Sequence, residues 1–123
     1  MIGLQRPQVP VAIGGDGVEL RKQPLGDDMS VAFVSARKGT DLRPALRGLP
    51  QDLCQCPHWG YVIRGTVRMH TADGHKDFTA GDAFYLAPGH APEVLEDVEY
   101  VDFSPTQAFD QVIQHIVGQA AGT

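Results

Sequence analysis

Two thiols and an imidazole lie close together in the run Cys54-Gln-Cys56-Pro-His58. Thiolate sulfur and neutral imidazole nitrogen are the ligands that Zn²⁺ and similar borderline metal ions prefer. Two cysteines separated by one residue would close a very small and strained disulfide loop. The pattern therefore favours metal ligands or a redox pair over a structural disulfide.

The spacing of these three residues limits how they can share one ion. Alternate residues of a strand point the same way, so Cys54, Cys56 and His58 would lie on one face. Four residues of strand nevertheless cover roughly 13 Å, whereas metal–ligand bonds are about 2.0–2.3 Å long. We expect Cys56 and His58 to bind together, with Cys54 joining them only if Pro57, which cannot donate a ladder hydrogen bond, bends the chain.

Most of the remaining chain, on both sides of these residues, has the sequence pattern of short strands. Glycine (14 residues) and proline (9) divide it at short intervals, and the segments between them are rich in β-branched and aromatic residues. Eight or so strands at nearly regular spacing are typical of an antiparallel barrel or sandwich. The predicted strands are Val18–Lys22, Met29–Ala36, Trp59–Ile63, Thr66–His70, Lys76–Thr79, Ala83–Leu86, Glu93–Leu95 and Val98–Phe103.

One helix is predicted, at the C-terminus, over residues of about 105–117. Ser104 is a suitable N-cap, Pro105 suits the first helical position, and Gln107 completes a capping box. Gly118 is placed to end the helix. We expect the helix to lie on the outside of the barrel, with one apolar stripe formed by Phe109, Val112, Ile113, Ile116 and Val117.

Composition excludes several classes of function. The chain of 123 residues fits a single domain, 1–123. Its net charge of −5 and lack of a basic run argue against a nucleic-acid partner, and its apolar runs are too short to cross a membrane. The N-terminus lacks the pattern of a secretory signal, so we expect a cytoplasmic protein.

The segment His58-Trp-Gly-Tyr-Val-Ile-Arg-Gly65 resembles the end of the first cupin motif, E-x-x-Y-V-L-x-G, with His58 in place of the glutamate. The family's preceding His-x-His pair falls near Asp52 and Cys54. The segment Gly81–Gly89 follows the second motif, G-D-x-x-x-x-P-x-G, with its proline one place late. Pro92 occupies the position of the closing histidine, and His90 stands two residues earlier.

This resemblance implies an all-β cupin or jelly-roll antiparallel barrel, with its core at about 18–103, followed by the C-terminal helix. It also implies a metal or small molecule in the lumen, and a homodimer, for which the apolar face of the helix would offer a surface. The glycine and hydrophobic framework is that of the family, but the usual set of three histidines and a glutamate is replaced by the Cys-x-Cys-Pro-His segment.

The predicted metal ligands are Cys54, Cys56, His58 and His90, since His90 opens the strand that faces the first three. Zn²⁺ is favoured by this ligand set, and Ni or Fe are alternatives. Four further residues are expected to be second-shell or pocket groups: Asp52, Arg64, Tyr85 and Glu93.

Each assignment has a simpler alternative. The cysteines fit equally as small buried hydrophobes or a redox pair, and His58 as a hydrogen-bonded core histidine. Arg64 would share the face of His58 and bind an anionic group, or form a salt bridge. A second set of residues is predicted to serve packing or solvation rather than the site, namely Trp59, Tyr61, His70, His75 and His115.

Two functions remain open on the sequence. The protein is either a metal-dependent enzyme acting on a small organic molecule or a non-catalytic binding or sensing module whose metal, if present, is structural. Three protein ligands with an open position would favour the first, and a closed tetrahedron would favour the second.

Overall fold

Strands dominate the structure, a computed structural model that describes residues 1–121 and the side chains of residues 1–119. The prediction of an all-β fold with one C-terminal helix is confirmed. The strands are β1 Val11–Gly15, β2 Val18–Pro24, β3 Met29–Ala36, β4 His58–Thr71, β5 Gly74–Thr79, β6 Ala83–Leu86 and β7 Ala91–Pro105, followed by helix α1, Thr106–Ala121. Short 3₁₀ turns occupy Arg6–Gln8, Pro44–Leu46 and Pro50–Asp52.

All seven strands belong to one antiparallel sheet, in the order β1-β2-β3-β7-β4-β5, with β6 also paired to β4. β4 therefore pairs with three strands, β5, β6 and β7, and is central to the sheet. Pairing among the described strands ends at β1 and β5, so the sheet is not a barrel closed by hydrogen bonds. One face of the sheet carries the core, which includes Val34, Val62, Val67 and Val98.

β4 and β7 are each continuous where two shorter strands were predicted. The reason lies at Gly65, which stands between the two predicted strands Trp59–Ile63 and Thr66–His70. Gly65 has φ = 80°, and a Cβ atom there would lie 2.0 Å from the carbonyl oxygen of Asp97 on β7. The pairing of β4 with β7 shifts register around this contact. The glycine lets the two strands bend together and stay paired, instead of ending them.

Helix α1 differs from its prediction at both ends. It begins at Thr106, because Ser104 remains within β7 and pairs with Ser30 of β3. Gly118 lies inside the helix, which continues to Ala121, the end of the described residues. No helix of the described chain has the length and apolarity needed to span a bilayer.

The apolar stripe of α1 is largely used within the chain, rather than left on the outer surface. Phe109, Val112 and Ile113 are buried and belong to the same core as the sheet. Val117 remains 46% exposed. The helix therefore covers part of the sheet's interior face, and this placement brings it to the residues of the predicted site.

Candidate metal centre

Three of the four predicted ligands lie together on the interior face of the sheet. Donor atoms of Cys54, His58 and His90 all lie within 4.8 Å of one another, and all three residues are buried. Cys54 Sγ is 3.7 Å from His58 Nε2, and the two imidazole rings meet edge to face with centroids 5.1 Å apart. In a tetrahedral zinc site, bonds of about 2.0–2.3 Å would place neighbouring donors roughly 3.3–3.6 Å apart. The Cys54–His58 separation is close to that spacing, and all three donors lie within 4.8 Å of one another.

Backbone hydrogen bonds explain how Cys54 reaches the histidines. Cys54 forms an isolated antiparallel bridge with His90, in which Cys54 N donates to His90 O at 2.8 Å. The carbonyl oxygen of Cys54 accepts hydrogen bonds from Gly89 and His90. β4 begins only at His58, so residues 55–57, including Pro57, lie outside the strand ladder. Cys54 and His58 are therefore not held at the spacing of one continuous strand, and Cys54 Sγ can approach the ring of His58.

The second ring nitrogen of each histidine is held by a hydrogen bond. His90 Nδ1 lies 2.8 Å from the carbonyl oxygen of Ala87. A carbonyl only accepts, so Nδ1 carries the proton and the lone pair is on Nε2. His58 Nδ1 contacts Ser104 Oγ at 2.5 Å, while its Nε2 faces Cys54. Such partners orient histidines that bind metals and fix their tautomer.

Burial keeps both imidazoles neutral. Burial, together with the neighbouring His90, lowers the pKa of His58 to about 3. Burial also lowers the pKa of His90, although the hydrogen bond to Ala87 opposes this effect. Burial raises the pKa of the Cys54 thiol to about 11, so a thiolate there needs a nearby positive charge. A divalent metal ion would supply the positive charge that a Cys54 thiolate needs, and the two neutral imidazoles can act as its further ligands.

A carboxyl group that the sequence reasoning missed lies beside the cluster. Asp102 on β7 is 4% exposed, and its Oδ1 has no hydrogen-bond partner among the described residues. Its Oδ2 is 3.8 Å from His58 Nδ1. Burial raises the pKa of Asp102 to about 7, against a hydrogen bond from Ser104 that lowers it. The signal available in the sequence was its strand position, since Asp102 alternates with Val98 and Tyr100 on the apolar face.

The cluster borders an interior cavity of about 70 Å³. Side chains of the sheet and of helix α1 line it, and most of them are apolar. Outside the cluster, its polar lining groups are Asp102 and Tyr100. Lining residues from the helix and the 3₁₀ turn before the site include Leu46, Phe109, Val112, Ile113 and Ile116. The cavity offers little room and a largely dry environment.

The fourth predicted ligand, Cys56, lies outside this group. It is fully buried, and its Sγ lies 3.3 Å from the carbonyl oxygen of Pro57. Burial, together with the proximity of Cys54, raises the pKa of its thiol to about 12. The two cysteines are free thiols. The structure thus places Cys54, rather than Cys56, with the two histidines, the reverse of the order that strand spacing suggested.

None of the four predicted second-shell or pocket residues lines the cavity. Asp52 is exposed and accepts a hydrogen bond from the Gly48 amide. Arg64 lies on the outer surface and pairs with Glu99, because the register shift near Gly65 reverses its expected direction.

The other two of these four residues also contact groups outside the cavity. Tyr85 is 53% exposed and stacks on Trp59. Glu93 accepts a hydrogen bond from His70 at 2.7 Å.

The residues predicted to serve packing or solvation lie away from the cluster. His75 is exposed, and His115 contacts the carbonyl oxygen of Arg47. Trp59 and Tyr61 are about half exposed, at 47% and 48%, so they do not pack in the core. They lie on the outer face of β4, opposite His58.

Comparison with solved structures identifies the fold. KdgF from Halomonas sp. matches with a TM-score of 0.60 and 21% identity, over 82% of this chain and 92% of that one. An RmlC-like cupin from Shewanella frigidimarina matches with a TM-score of 0.59 and 18% identity, over 83% and 88%. Ectoine synthase from P. lautus matches with a TM-score of 0.63 and 15% identity, over 90% and 86%. No family model and no curated protein matches the sequence.

Proposed function

Because this chain has the RmlC-like cupin fold, we propose that it binds one divalent transition metal ion through Cys54, His58 and His90. The observation that carries the proposal is the convergence of their three donor atoms within 4.8 Å in a buried site. A thiolate and two imidazoles favour Zn²⁺, with Ni²⁺ and Fe²⁺ as alternatives of similar ligand preference. Asp102 Oδ1 is buried without a hydrogen-bond partner among the described residues, which also favours a cation nearby.

We further propose that the site acts on a small organic molecule. Three protein ligands leave a fourth position open, as in catalytic zinc sites, where the metal polarises a bound group or activates water. Burial would keep His58 and His90 neutral, and the hydrogen bonds to Ser104 and Ala87 would orient their rings. Its apolar lining would exclude bulk water. The cavity of about 70 Å³ restricts any ligand to a few heavy atoms.

A non-catalytic role is the second candidate, and one observation favours it. Helix α1 contributes four of the side chains that line the cavity, so the site is covered rather than widely open. A sensing or binding module with a structural metal would need no access for substrate. X-ray absorption spectroscopy separates the two roles. A coordination shell with one sulfur, two imidazoles and a water supports the catalytic form, and a shell closed by protein atoms supports the structural form.

Metal content tests the proposal directly. Purified protein should carry up to one equivalent of zinc or a similar ion by elemental analysis. The Co²⁺-loaded protein should show a sulfur-to-cobalt charge-transfer band that disappears in Cys54→Ser. The variant His75→Ala, at an exposed histidine, is the control and should keep both signals. Wild-type protein that retains none of Zn²⁺, Ni²⁺, Fe²⁺ or Co²⁺ after desalting would contradict the proposal.

We also propose a homodimer, formed through the outer face of the sheet. Five exposed apolar side chains lie on adjacent strands there, and we call them the aromatic face: Trp59, Tyr61, Ile63, Tyr85 and Phe103. Trp59 is paired across the sheet with both Phe103 and Tyr85. Their four half-exposed aromatic rings offer about 400 Å², roughly half of what one partner contributes to a stable interface.

A second copy is the occupant that this surface fits, since none of the five side chains of the aromatic face is charged and two copies can pair by symmetry. Sedimentation velocity should find a wild-type dimer that Trp59→Glu converts to a monomer. The control Val117→Glu, on the exposed part of α1, should remain dimeric. A wild-type monomer at tens of micromolar, or dissociation by the helix variant alone, would contradict this surface. The free thiols of Cys54 and Cys56 support the cytoplasmic location that we propose for the protein.

A further inference from the structure

Tyr100 is a buried tyrosine whose hydroxyl group forms no hydrogen bond with the part of the chain that the structure describes. It lies on β7, 7% exposed, and its ring packs edge to face on Phe84 with centroids 5.8 Å apart. The other two large aromatic side chains buried in the core, Phe84 and Phe109, carry no polar group. A phenylalanine at position 100 would fill the same space without burying a hydroxyl group, so packing does not explain the tyrosine.

The hydroxyl group of Tyr100 is open to the interior cavity. Among the described side chains that are not exposed, Asp102 Oδ1 is the single nitrogen or oxygen atom that is both inaccessible and without a hydrogen bond. The Tyr100 hydroxyl group also lacks a hydrogen bond, so it keeps accessible surface, and the space that Tyr100 lines is the cavity of about 70 Å³. Burial raises the pKa of this hydroxyl group, and the charges of the nearby Asp102 and Cys54 raise it as well. The hydroxyl group therefore lies on the side of the cavity where the metal cluster is.

The cavity offers this donor no acceptor of its own. Asp102 lies two residues further along the same face of β7, but its carboxyl group is held by Ser104 instead. The side chains that α1 contributes to the lining are all apolar. A tyrosine hydroxyl group keeps its proton at neutral pH and can donate it. A bound molecule that carries an acceptor would therefore complete the hydrogen bonding of Tyr100.

We propose that the Tyr100 hydroxyl group donates a hydrogen bond to the ligand of this cavity, and that the ligand is a small carboxylate or carbonyl compound. The inference rests on the proposed metal site, because the ligand would enter the position that Cys54, His58 and His90 leave open. A cavity that the three donors and Tyr100 all line lets one small ligand reach both. A carboxylate or carbonyl oxygen suits both, since it binds a divalent cation and keeps a lone pair for a donor. A donor fixed at that point would stabilise negative charge that develops on the oxygen during a reaction.

Two small anions, formate and azide, test this assignment as probes. Each can bind Co²⁺ and still accept a hydrogen bond, and binding is followed by the absorption spectrum of the Co²⁺ protein. Tyr100→Phe removes only the hydroxyl group and should weaken both probes by about tenfold or more, as expected for a lost hydrogen bond to a charged group. Tyr61→Phe is the matched control, because it removes a hydroxyl group from the outer face of β4, at a residue 48% exposed, and should leave both affinities unchanged. Equal affinities in wild type and Tyr100→Phe would overturn the inference, as would failure of wild type to bind either probe.

Two further measurements on Tyr100→Phe separate ligand binding from a structural role. The urea midpoint of the metal-free variant should equal or exceed that of wild type, because the substitution removes a buried hydroxyl group that lacks a partner. The affinity for Co²⁺ should change only a few-fold, because Tyr100 is not a proposed metal ligand. A lower urea midpoint would show that the hydroxyl group is already satisfied within the protein. A loss of Co²⁺ affinity of more than about tenfold would make Tyr100 a metal ligand. Either result would overturn the inference.

Failure of the proposed metal site gives a different result. Elemental analysis of wild-type protein would then show no retained metal, which overturns the metal site and the inference together. Retained metal with probe affinities that do not depend on Tyr100 overturns the inference alone and leaves the metal site standing.

Discussion

The two faces of β4 and β7 differ sharply in their side chains, although the same strands supply both. On the interior face, His58, Asp102 and Ser104 are buried polar groups that contact one another. On the outer face, Trp59 and Phe103, their neighbours in sequence, are large apolar groups left 47% and 40% exposed. These residues depart from the ordinary arrangement of polar side chains outside and apolar side chains inside, although the rest of the interior face is apolar core. Buried polar groups and exposed aromatic groups are both costly for stability alone, so this distribution supports the metal site proposed for the interior face and the dimer contact proposed for the outer face.

The largest effect that separates the two faces should be on stability, at neighbouring residues of β6. Phe84 is buried and contacts Phe78 and Tyr100, so Phe84→Ala should lower the free energy of unfolding by about 3–5 kcal/mol. Tyr85→Ala, on the aromatic face, should cost about 1 kcal/mol or less. Urea denaturation at a concentration where both variants are monomeric measures the difference. Equal losses would show that the aromatic face is packed within the monomer.

The next effect should appear in metal affinity, at two cysteines of the interior face. Cys54→Ser removes a proposed ligand, so the affinity for Zn²⁺, measured by competition with a chelator, should fall by more than about 100-fold, the upper end of second-shell effects. Cys56→Ser should change it only a few-fold, because Cys56 Sγ contacts the Pro57 carbonyl oxygen and lies outside the cluster. Circular dichroism checks that both variants fold. A larger loss for Cys56→Ser would restore the ligand pair that strand spacing suggested.

The fold was predictable from local patterns. The alternation of apolar and polar residues is a property of short segments, and so are the positions of the glycines. The cluster was predictable in part, because thiols and imidazoles are chemically distinctive wherever they lie. The choice between Cys54 and Cys56 was not, because it depends on the bridge between Cys54 and His90. That bridge is a contact between distant segments, which residue spacing along one strand does not reveal.

Asp102 and Ser104 were missed for a related reason. Their roles come from the pairing of β7 with β4, which sets Asp102 opposite Gly60 and brings Ser104 to His58. The sequence offered a different local use for Ser104, as an N-cap of the following helix. Tertiary pairing overrode that preference, since the hydroxyl group contacts His58 and the helix begins at Thr106. The one sign visible in the sequence was an aspartate at a position of the predicted strand whose alternate neighbours are apolar.

A smaller effect on metal affinity should follow from Ser104, which acts on the metal only through His58. Ser104→Ala removes the group beside His58 Nδ1 and should weaken Zn²⁺ binding by about 10–100-fold. Ser104→Thr keeps a hydroxyl group and should restore much of the affinity. Ser30→Ala is a matched control, because Ser30 is the cross-strand partner of Ser104 and its hydroxyl binds Thr106 instead. Equal losses in Ser104→Ala and Ser30→Ala would point to general destabilisation rather than to the orientation of His58.

The smallest effect is expected in the pH dependence of stability, and it also belongs to the interior face. His58 binds a proton near pH 6.5 when unfolded but only near pH 3 when folded, and His90 is shifted in the same direction. Asp102 is shifted the opposite way, from 3.8 to about 7, so the folded protein binds one proton there that the unfolded chain does not. Near pH 6.5 the half-protonated histidines of the unfolded state are nearly offset by the largely protonated Asp102 of the folded state, and toward pH 5 the unfolded state comes to bind about one proton more than the folded state. The free energy of unfolding of metal-free protein should then fall by up to about 1.4 kcal/mol for each pH unit of acidification.

The variant Asp102→Asn sharpens this prediction, because it removes the one group that opposes the histidines. Its slope over the same pH range should be steeper than that of wild type, approaching twice the value since two histidines then act alone. His75→Ala, at an exposed histidine, should leave the slope unchanged. Urea denaturation in the presence of a chelator, repeated at several pH values, measures all three slopes. A flat wild-type profile with no change in Asp102→Asn would mean that the interior face admits water and leaves these groups near their ordinary pKa values.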